Sequence, residues 1–157
     1  MKYHILTHKD LKNIELSKLT DLIYNNFIEL KDEYKLMHTK EKISETLHSD
    51  DVLIIIALNE QKKLVGFIVS QLMELDDRRK VLFVNYIYVA ESLRKTGMGS
   101  EMMDMLEREG YKYKCNGIML IFDTYNAVLV RLYENRGYML DINLRRYERH
   151  DVFYKTI

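Results

Sequence analysis

Three apolar segments of strand length follow one another in the first half of the chain, with only short polar turns between them. They span residues 52–58, 64–75 and 80–89. Antiparallel strands can be joined by a short turn, whereas parallel strands need a long crossover, so this order predicts an antiparallel meander. A further short strand is predicted at residues 3–7.

Helical patterns precede the meander. Leucine, isoleucine and phenylalanine residues recur at the spacing of one helical face between residues 11 and 30, which predicts a single helix over that range. Thr39 is predicted to be the N-cap of a second helix that ends near residue 48. These helices provide a layer that can cover one face of the sheet.

After the meander, helices and strands alternate. We predict a helix over 98–109 with Gly110 as its C-cap, a buried strand over 118–122, and a helix over 126–135 closed by Gly137. The tail predicts two strands around residues 145–150. Strand–helix–strand alternation favours parallel pairing, so we predict one domain over residues 1–157, of mixed α/β class, with a sheet flanked by helices.

Composition excludes several kinds of partner. The 157 residues include 24 basic and 24 acidic side chains, so no net charge favours nucleic acid or an anionic membrane, and we expect neither as a partner. The single cysteine, Cys115, excludes an intrachain disulfide and a cysteine-based zinc site. The five histidines show no ligand spacing, so no metal is expected. The sequence shows no signal peptide and no membrane-spanning apolar run, so we expect a cytoplasmic protein. Monomer and homodimer both remain as alternatives for its assembly.

A glycine-containing turn joins the strand at 80–89 to the following helix. Glycines let the backbone approach a ligand without a Cβ, and the first turn of a helix presents unpaired N–H groups to an anion. The turn is not a Walker loop, and Met102 stands where a dinucleotide fingerprint has its third glycine. The alternatives are a loop before an ordinary core helix or a phosphate-binding turn made of Arg94, Lys95, Thr96, Gly97, Met98, Gly99 and Ser100.

Two motifs in this half of the chain resemble a known family. Arg94-x-x-Gly97-x-Gly99 resembles the Arg/Gln-x-x-Gly-x-Gly/Ala turn of GNAT N-acetyltransferases. The block from Asn126 to Tyr138 is similar to that family's Asn-x-x-Ala-x-x-x-Tyr-Glu-x-x-Gly-Phe/Tyr pattern, with Leu129 where Ala or Ser is usual. The resemblance covers residues 81–138. It implies a strongly bent mixed sheet and acetyl-CoA as the co-substrate.

The resemblance also implies roles for individual residues. The turn at 94–100 would hold the cofactor's pyrophosphate, and Asn126 would lie in the cofactor site. Tyr133 would contact the cofactor and act as the general acid for the leaving sulfur, since a phenol has a pKa near that of a thiol. Backbone groups at the end of the preceding strand would bind the acetyl carbonyl and the pantetheine amides, at Ile87, Tyr88 and Val89.

The sequence leaves several candidates for the general base. Many relatives have a glutamate at the position of Asn85, and a neutral amide there can orient a water or the incoming amine but cannot take its proton. A water chain is one alternative. The other candidates are carboxylates elsewhere in the chain, namely Glu29, Asp32, Glu33 and Asp123.

A basic cluster in the tail predicts either a contact with a phosphate or a solvated hairpin. It consists of Arg145, Arg146, Arg149 and His150.

The resemblance predicts an acetyl-CoA-dependent N-acetyltransferase that moves the acetyl group directly to a primary amine of a small molecule or peptide. Two alternatives remain at this point. One is a catalytically inactive CoA-binding regulatory module of the same fold, favoured by the missing carboxylate at Asn85. The other is a nucleotide-phosphate-binding protein of another fold.

Overall fold

A computed structural model describes residues 1–28, 39–123, 127–141 and 150–157 of the chain. They form a seven-stranded mixed sheet in the order β1-β2-β3-β4-β5-β7-β6. The strands are β1 Lys2–Thr7, β2 Val52–Leu58, β3 Leu64–Glu74, β4 Lys80–Val89, β5 Gly117–Asp123, β6 Met139–Leu140 and β7 His150–Thr156. The helices are α1 His8–Leu11, α2 Leu16–Ile28, α3 Lys40–His48, α4 Met98–Lys112 and α5 Ala127–Asn135.

The strand pairing confirms the predicted mixed sheet. Strand β2 pairs antiparallel with β3, as the short turn between them predicted, and it also pairs antiparallel with β1. Strand β4 pairs in parallel with β5, from Val81 opposite Gly117 to Val84 opposite Leu120. The two predicted tail strands are β6 and β7, which pair antiparallel, and β7 also pairs antiparallel with β5.

The described chain divides into two compact units. The first comprises Met1–Leu72 and Asn85–Leu106. Its core lies where α2 and α3 cover one face of the meander, and burying each large apolar side chain there contributes about 1.5–3 kcal/mol. Thr39 is the N-cap of α3, as predicted, with its hydroxyl accepting from Lys42 N at 3.2 Å. The central side chains of this core are Ile23, Ile43, Leu47, Ile54, Phe67, Val69, Tyr86 and Tyr88.

The second unit comprises Met73–Val84 and Glu107–Ile157. Its strands lie close together at Gly117, where a Cβ would be 2.4 Å from the Lys155 carbonyl oxygen. Arg79 secures the turn before β4 by pairing with Asp77 at 2.9 Å and with Asp141 at 2.8 Å. Four aromatic side chains of this unit, Phe122, Tyr133, Tyr138 and Phe153, form a buried group.

The prediction of one helix over 11–30 was wrong at its start. The chain instead forms the short α1 and then begins α2 at Leu16. The Asp10 carboxylate accepts from Thr7 N at 2.8 Å, which favours a separate turn directly after β1. The far end of the predicted helix lies outside the described residues.

The prediction of Gly110 as a C-cap was also wrong. Helix α4 continues through it to Lys112, and the left-handed residue that follows is Lys114, with φ of 58°. Gly110 lies in close packing instead, because a Cβ there would be 2.8 Å from Ile157 Cδ1. Across the described ranges, no helix is both long enough and apolar enough to span a membrane.

Candidate cofactor site

The predicted phosphate-binding turn connects β4 to α4. After a short 3-10 helix, Glu91–Leu93, the backbone takes left-handed φ values at Lys95 (63°) and Gly97 (91°). A Cβ at Gly97 would meet no atom within 4 Å. Glycine is therefore favoured at this position by the backbone conformation rather than by lack of space.

Helix α4 directs its N-terminus at this turn. Its first intrahelical bond runs from Glu101 N to the Gly97 carbonyl at 2.9 Å. The N–H groups of the three residues before Glu101 therefore have no partner within the helix and form the positive end of a 15-residue dipole. This is the local geometry that binds phosphate at helix N-termini.

Arg94 connects the turn to the end of β4. Its Nε donates to the Val89 carbonyl oxygen at 2.8 Å, and its guanidinium carbon lies 5.8 Å from the centre of the Tyr88 ring. This bond uses one of the five guanidinium N–H groups. The side chain is exposed, so the positive charge at the turn is held in place by β4 and faces solvent.

Asn85 lies in β4, half-buried, beside β3. Its Nδ2 donates to Gln71 Oε1 at 3.1 Å. Its Oδ1 is buried, and no hydrogen-bond donor in the described part of the chain reaches it. A buried acceptor without a partner costs about 1–3 kcal/mol, so a water or ligand N–H that reached Oδ1 would stabilise this arrangement.

Tyr133 is located in α5, in the second unit. It is 4% exposed, and its ring centre lies 5.0 Å from that of Phe122 and 5.7 Å from that of Tyr138. Burial raises the pKa of Tyr133 to about 12, so the phenol is protonated at neutral pH. Full transfer of its proton to a thiolate of ordinary pKa, about 8.5, would be uphill by about 3.5 pKa units. The hydroxyl is therefore better suited to donate a hydrogen bond to sulfur than to release its proton.

The raised pKa gives a prediction for alkaline pH. Unfolded Tyr133 loses its proton near pH 10 and folded Tyr133 near pH 12, so the free energy of unfolding falls as pH rises between these values. Between these two pH values this component amounts to about 3 kcal/mol. Tyr133→Phe should lack this component, so its free energy of unfolding should fall less than that of wild type between pH 9 and pH 12. Urea unfolding of the two proteins at both pH values measures the difference. Tyr111→Phe, at an exposed tyrosine, is the control and should lose as much stability as wild type between the two pH values. An equal loss in Tyr133→Phe and wild type would contradict the prediction.

The predicted site residues are distributed over both units. Asn85, the strand end at 87–89 and the turn at 94–100 belong to the first unit, and Tyr133 belongs to the second. Asn126, Glu29, Asp32, Glu33 and the arginines of the tail lie outside the described residues. The backbone of Asp123 closes β5, and that of His150 begins β7.

Sequence analysis missed two residues beside the site, Gln71 and Gly66. Both stand in the apolar segment that became β3. A glycine inside a strand pattern often marks a close approach of another element, and a polar residue there often has a specific partner. Those two signals were available in the sequence.

The sequence pattern of the acetyltransferase (GNAT) family matches residues 16–138, which include the turn at 94–100 and Tyr133. The chain therefore belongs to the GNAT acetyltransferase family. No curated protein matches it.

Solved structures of GNAT acetyltransferases share the fold. A GNAT-family acetyltransferase from Listeria monocytogenes superposes with a TM-score of 0.72 at 14% identity, over 99% of this chain and 95% of the other. The PaiA N-acetyltransferase of Thermoplasma acidophilum, in complex with coenzyme A, gives 0.68 at 16% identity over all of both chains. A putative streptothricin acetyltransferase from Bacillus anthracis, in complex with acetyl coenzyme A, gives 0.57 at 20% identity, over 72% of this chain and 66% of the other.

Proposed function

We propose that this protein is an N-acetyltransferase that moves the acetyl group of acetyl-CoA directly to a primary amine of a small molecule or peptide. The observation that supports it most is the turn at 94–100, where left-handed residues lead into the N-terminus of α4 beside a guanidinium bonded to β4. Membership of the acetyltransferase family agrees with it. Two structural neighbours bind coenzyme A or acetyl coenzyme A.

In the proposed reaction the amine nitrogen attacks the thioester carbonyl carbon, the carbon–sulfur bond breaks, and CoA leaves as the thiolate. Backbone N–H groups at the end of β4 would stabilise the oxyanion that forms on the carbonyl oxygen. The Tyr133 hydroxyl would donate a hydrogen bond to the departing sulfur. Asn85 would orient the amine or a water, and the proton of the amine would pass to water or to a carboxylate, because an amide cannot take it.

One observation favours a second candidate, a CoA-binding regulatory module without catalysis. Asn85 places a neutral group where many relatives have a carboxylate, and its described side-chain partner, Gln71, is neutral as well. A thiol-release assay with acetyl-CoA and a broad panel of amines distinguishes the two functions. Amine-dependent release supports the acetyltransferase, whereas CoA binding without release supports the module.

The cofactor is tested separately by titration calorimetry with CoA, ATP and NAD. The proposed function requires CoA to bind most tightly, because the pantetheine arm adds contacts that the other two nucleotides lack. Tighter binding of ATP or NAD would reject acetyl-CoA as the co-substrate.

Arg94→Ala is expected to weaken CoA binding about tenfold, by loss of one charge-assisted contact with phosphate. Arg94→Lys is the matched variant, because it keeps the charge but loses the planar guanidinium and its contact with Tyr88. Its CoA affinity should lie between that of wild type and that of Arg94→Ala. Calorimetry with CoA measures both. Unchanged affinity in Arg94→Ala would show that this side chain does not contact the pyrophosphate.

A further inference from the structure

A glycine of β3 lies directly beneath the first residue of α4. Gly66 pairs with Ala57 of β2, so both residues at this point of the sheet are small. A Cβ at Gly66 would lie 2.5 Å from Met98 Cε, 3.2 Å from Met102 Cε and 3.2 Å from the Tyr88 carbonyl oxygen. The first of these distances is too short for a Cβ contact, so a side chain at this position would displace the terminal methyl of Met98.

The methionine that fills this space also begins the helix. Met98 is 5% exposed and Met102 is fully buried, so the first turn of α4 is supported from below by contacts with β3. The same turn presents the N–H groups that lie within the predicted phosphate-binding segment. The absence of a side chain at Gly66 therefore leaves the space that the Met98 and Met102 methyl groups fill beneath this turn.

We propose that Gly66 is a positioning residue for the pyrophosphate of the cofactor, acting through Met98 and the N-terminus of α4. This inference rests on the proposed binding of acetyl-CoA by the same turn. A Cβ at Gly66 moves Met98 outward and shifts the helix N-terminus relative to Arg94, whose guanidinium is bonded to Val89. The pyrophosphate then loses the simultaneous contacts with both groups.

The same helix provides a matched control. Gly110 lies 12 positions after Met98 in α4, about 18 Å along the helix axis. A Cβ there would also press on flexible side-chain ends, at 2.8 Å from Ile157 Cδ1 and 3.1 Å from Ile118 Cδ1. Gly110→Ala therefore makes the same chemical change within α4 itself, far from the N-terminus of that helix.

The test compares wild type, Gly66→Ala and Gly110→Ala in titrations with CoA, inorganic pyrophosphate and pantetheine, with weak binding followed by NMR. We expect Gly66→Ala to weaken CoA and pyrophosphate binding about tenfold, the loss expected for one hydrogen bond to a charged group, and to leave pantetheine binding unchanged. Gly110→Ala should leave all three affinities near those of wild type. Equal effects of the two substitutions, or equal losses for CoA and pantetheine, would overturn the inference.

A second substitution tests the contact itself. Leucine at position 98 keeps the buried volume but lacks the terminal methyl that a Cβ at residue 66 would meet. Met98→Leu in the Gly66→Ala background should therefore restore CoA affinity relative to Gly66→Ala alone, and failure to restore it contradicts the proposed route through Met98.

If Gly66→Ala does not fold, Met98→Ala removes the same contact and should show the same selective loss. Failure of wild type to bind CoA would reject the proposed function, whereas an unaffected Gly66→Ala rejects this inference alone.

Discussion

Glu107→Ala is expected to lower the free energy of unfolding by about 1–3 kcal/mol, because three half-buried or buried partner groups lose the carboxylate to which they donate. The Glu107 carboxylate is 17% exposed and accepts from three groups. Arg136 Nη2 and the Tyr138 hydroxyl lie 3.2 Å and 3.1 Å from Oε1, and Lys155 Nζ lies 3.1 Å from Oε2. These bonds connect α4, the segment between α5 and β6, and β7 within the second unit, so their loss weakens three parts of the unit together.

Urea unfolding at neutral pH measures this effect. Glu15→Ala is the control, because Glu15 pairs with Lys18 at 3.2 Å on an exposed surface, and its removal should change stability by less than about 1 kcal/mol. Glu107→Gln keeps a hydrogen-bond acceptor but not the charge, so its free energy of unfolding should lie between those of wild type and Glu107→Ala. A loss below about 1 kcal/mol for Glu107→Ala would show that the network is not a major source of stability.

Tyr133→Phe is expected to lower the turnover number about 10- to 100-fold while leaving acetyl-CoA affinity close to that of wild type. Phenylalanine keeps the ring between Phe122 and Tyr138 and removes only the hydroxyl. Because the raised pKa keeps that hydroxyl protonated, its expected role is to donate to the leaving sulfur. The contribution therefore appears in the chemical step rather than in binding.

Tyr138→Phe is the matched control for this variant. Tyr138 is a buried neighbour whose hydroxyl donates to Glu107, so its removal should reduce stability and leave turnover nearly unchanged. Steady-state rates with the best amine of the panel, together with CoA calorimetry, measure both proteins. An unaltered rate in Tyr133→Phe would remove Tyr133 as the donor, and equal rate losses in both variants would indicate a structural effect.

Local patterns predicted the strands better than the ends of the helices. The segment at 52–58 became β2 with the predicted bounds, because aspartates and a polar turn flank an uninterrupted apolar run. The helix predicted from residue 11 failed because its apolar spacing continues across the turn between α1 and α2. Gly110 was assigned as a cap because glycine commonly ends helices, yet close packing also selects glycine, and sequence spacing does not distinguish the two.

By itself the sequence determined the mixed α/β class and the glycine-containing turn before α4, since the groups of that turn come from one continuous segment, residues 94–100. Tertiary structure alone decided how that turn is held. Arg94 bonds to Val89, Met98 rests on Gly66, and Asn85 meets Gln71 across neighbouring strands. These contacts depend on strand register and on the distance between helix and sheet. Both are set by side chains packed from distant parts of the chain, so no local sequence pattern contains them.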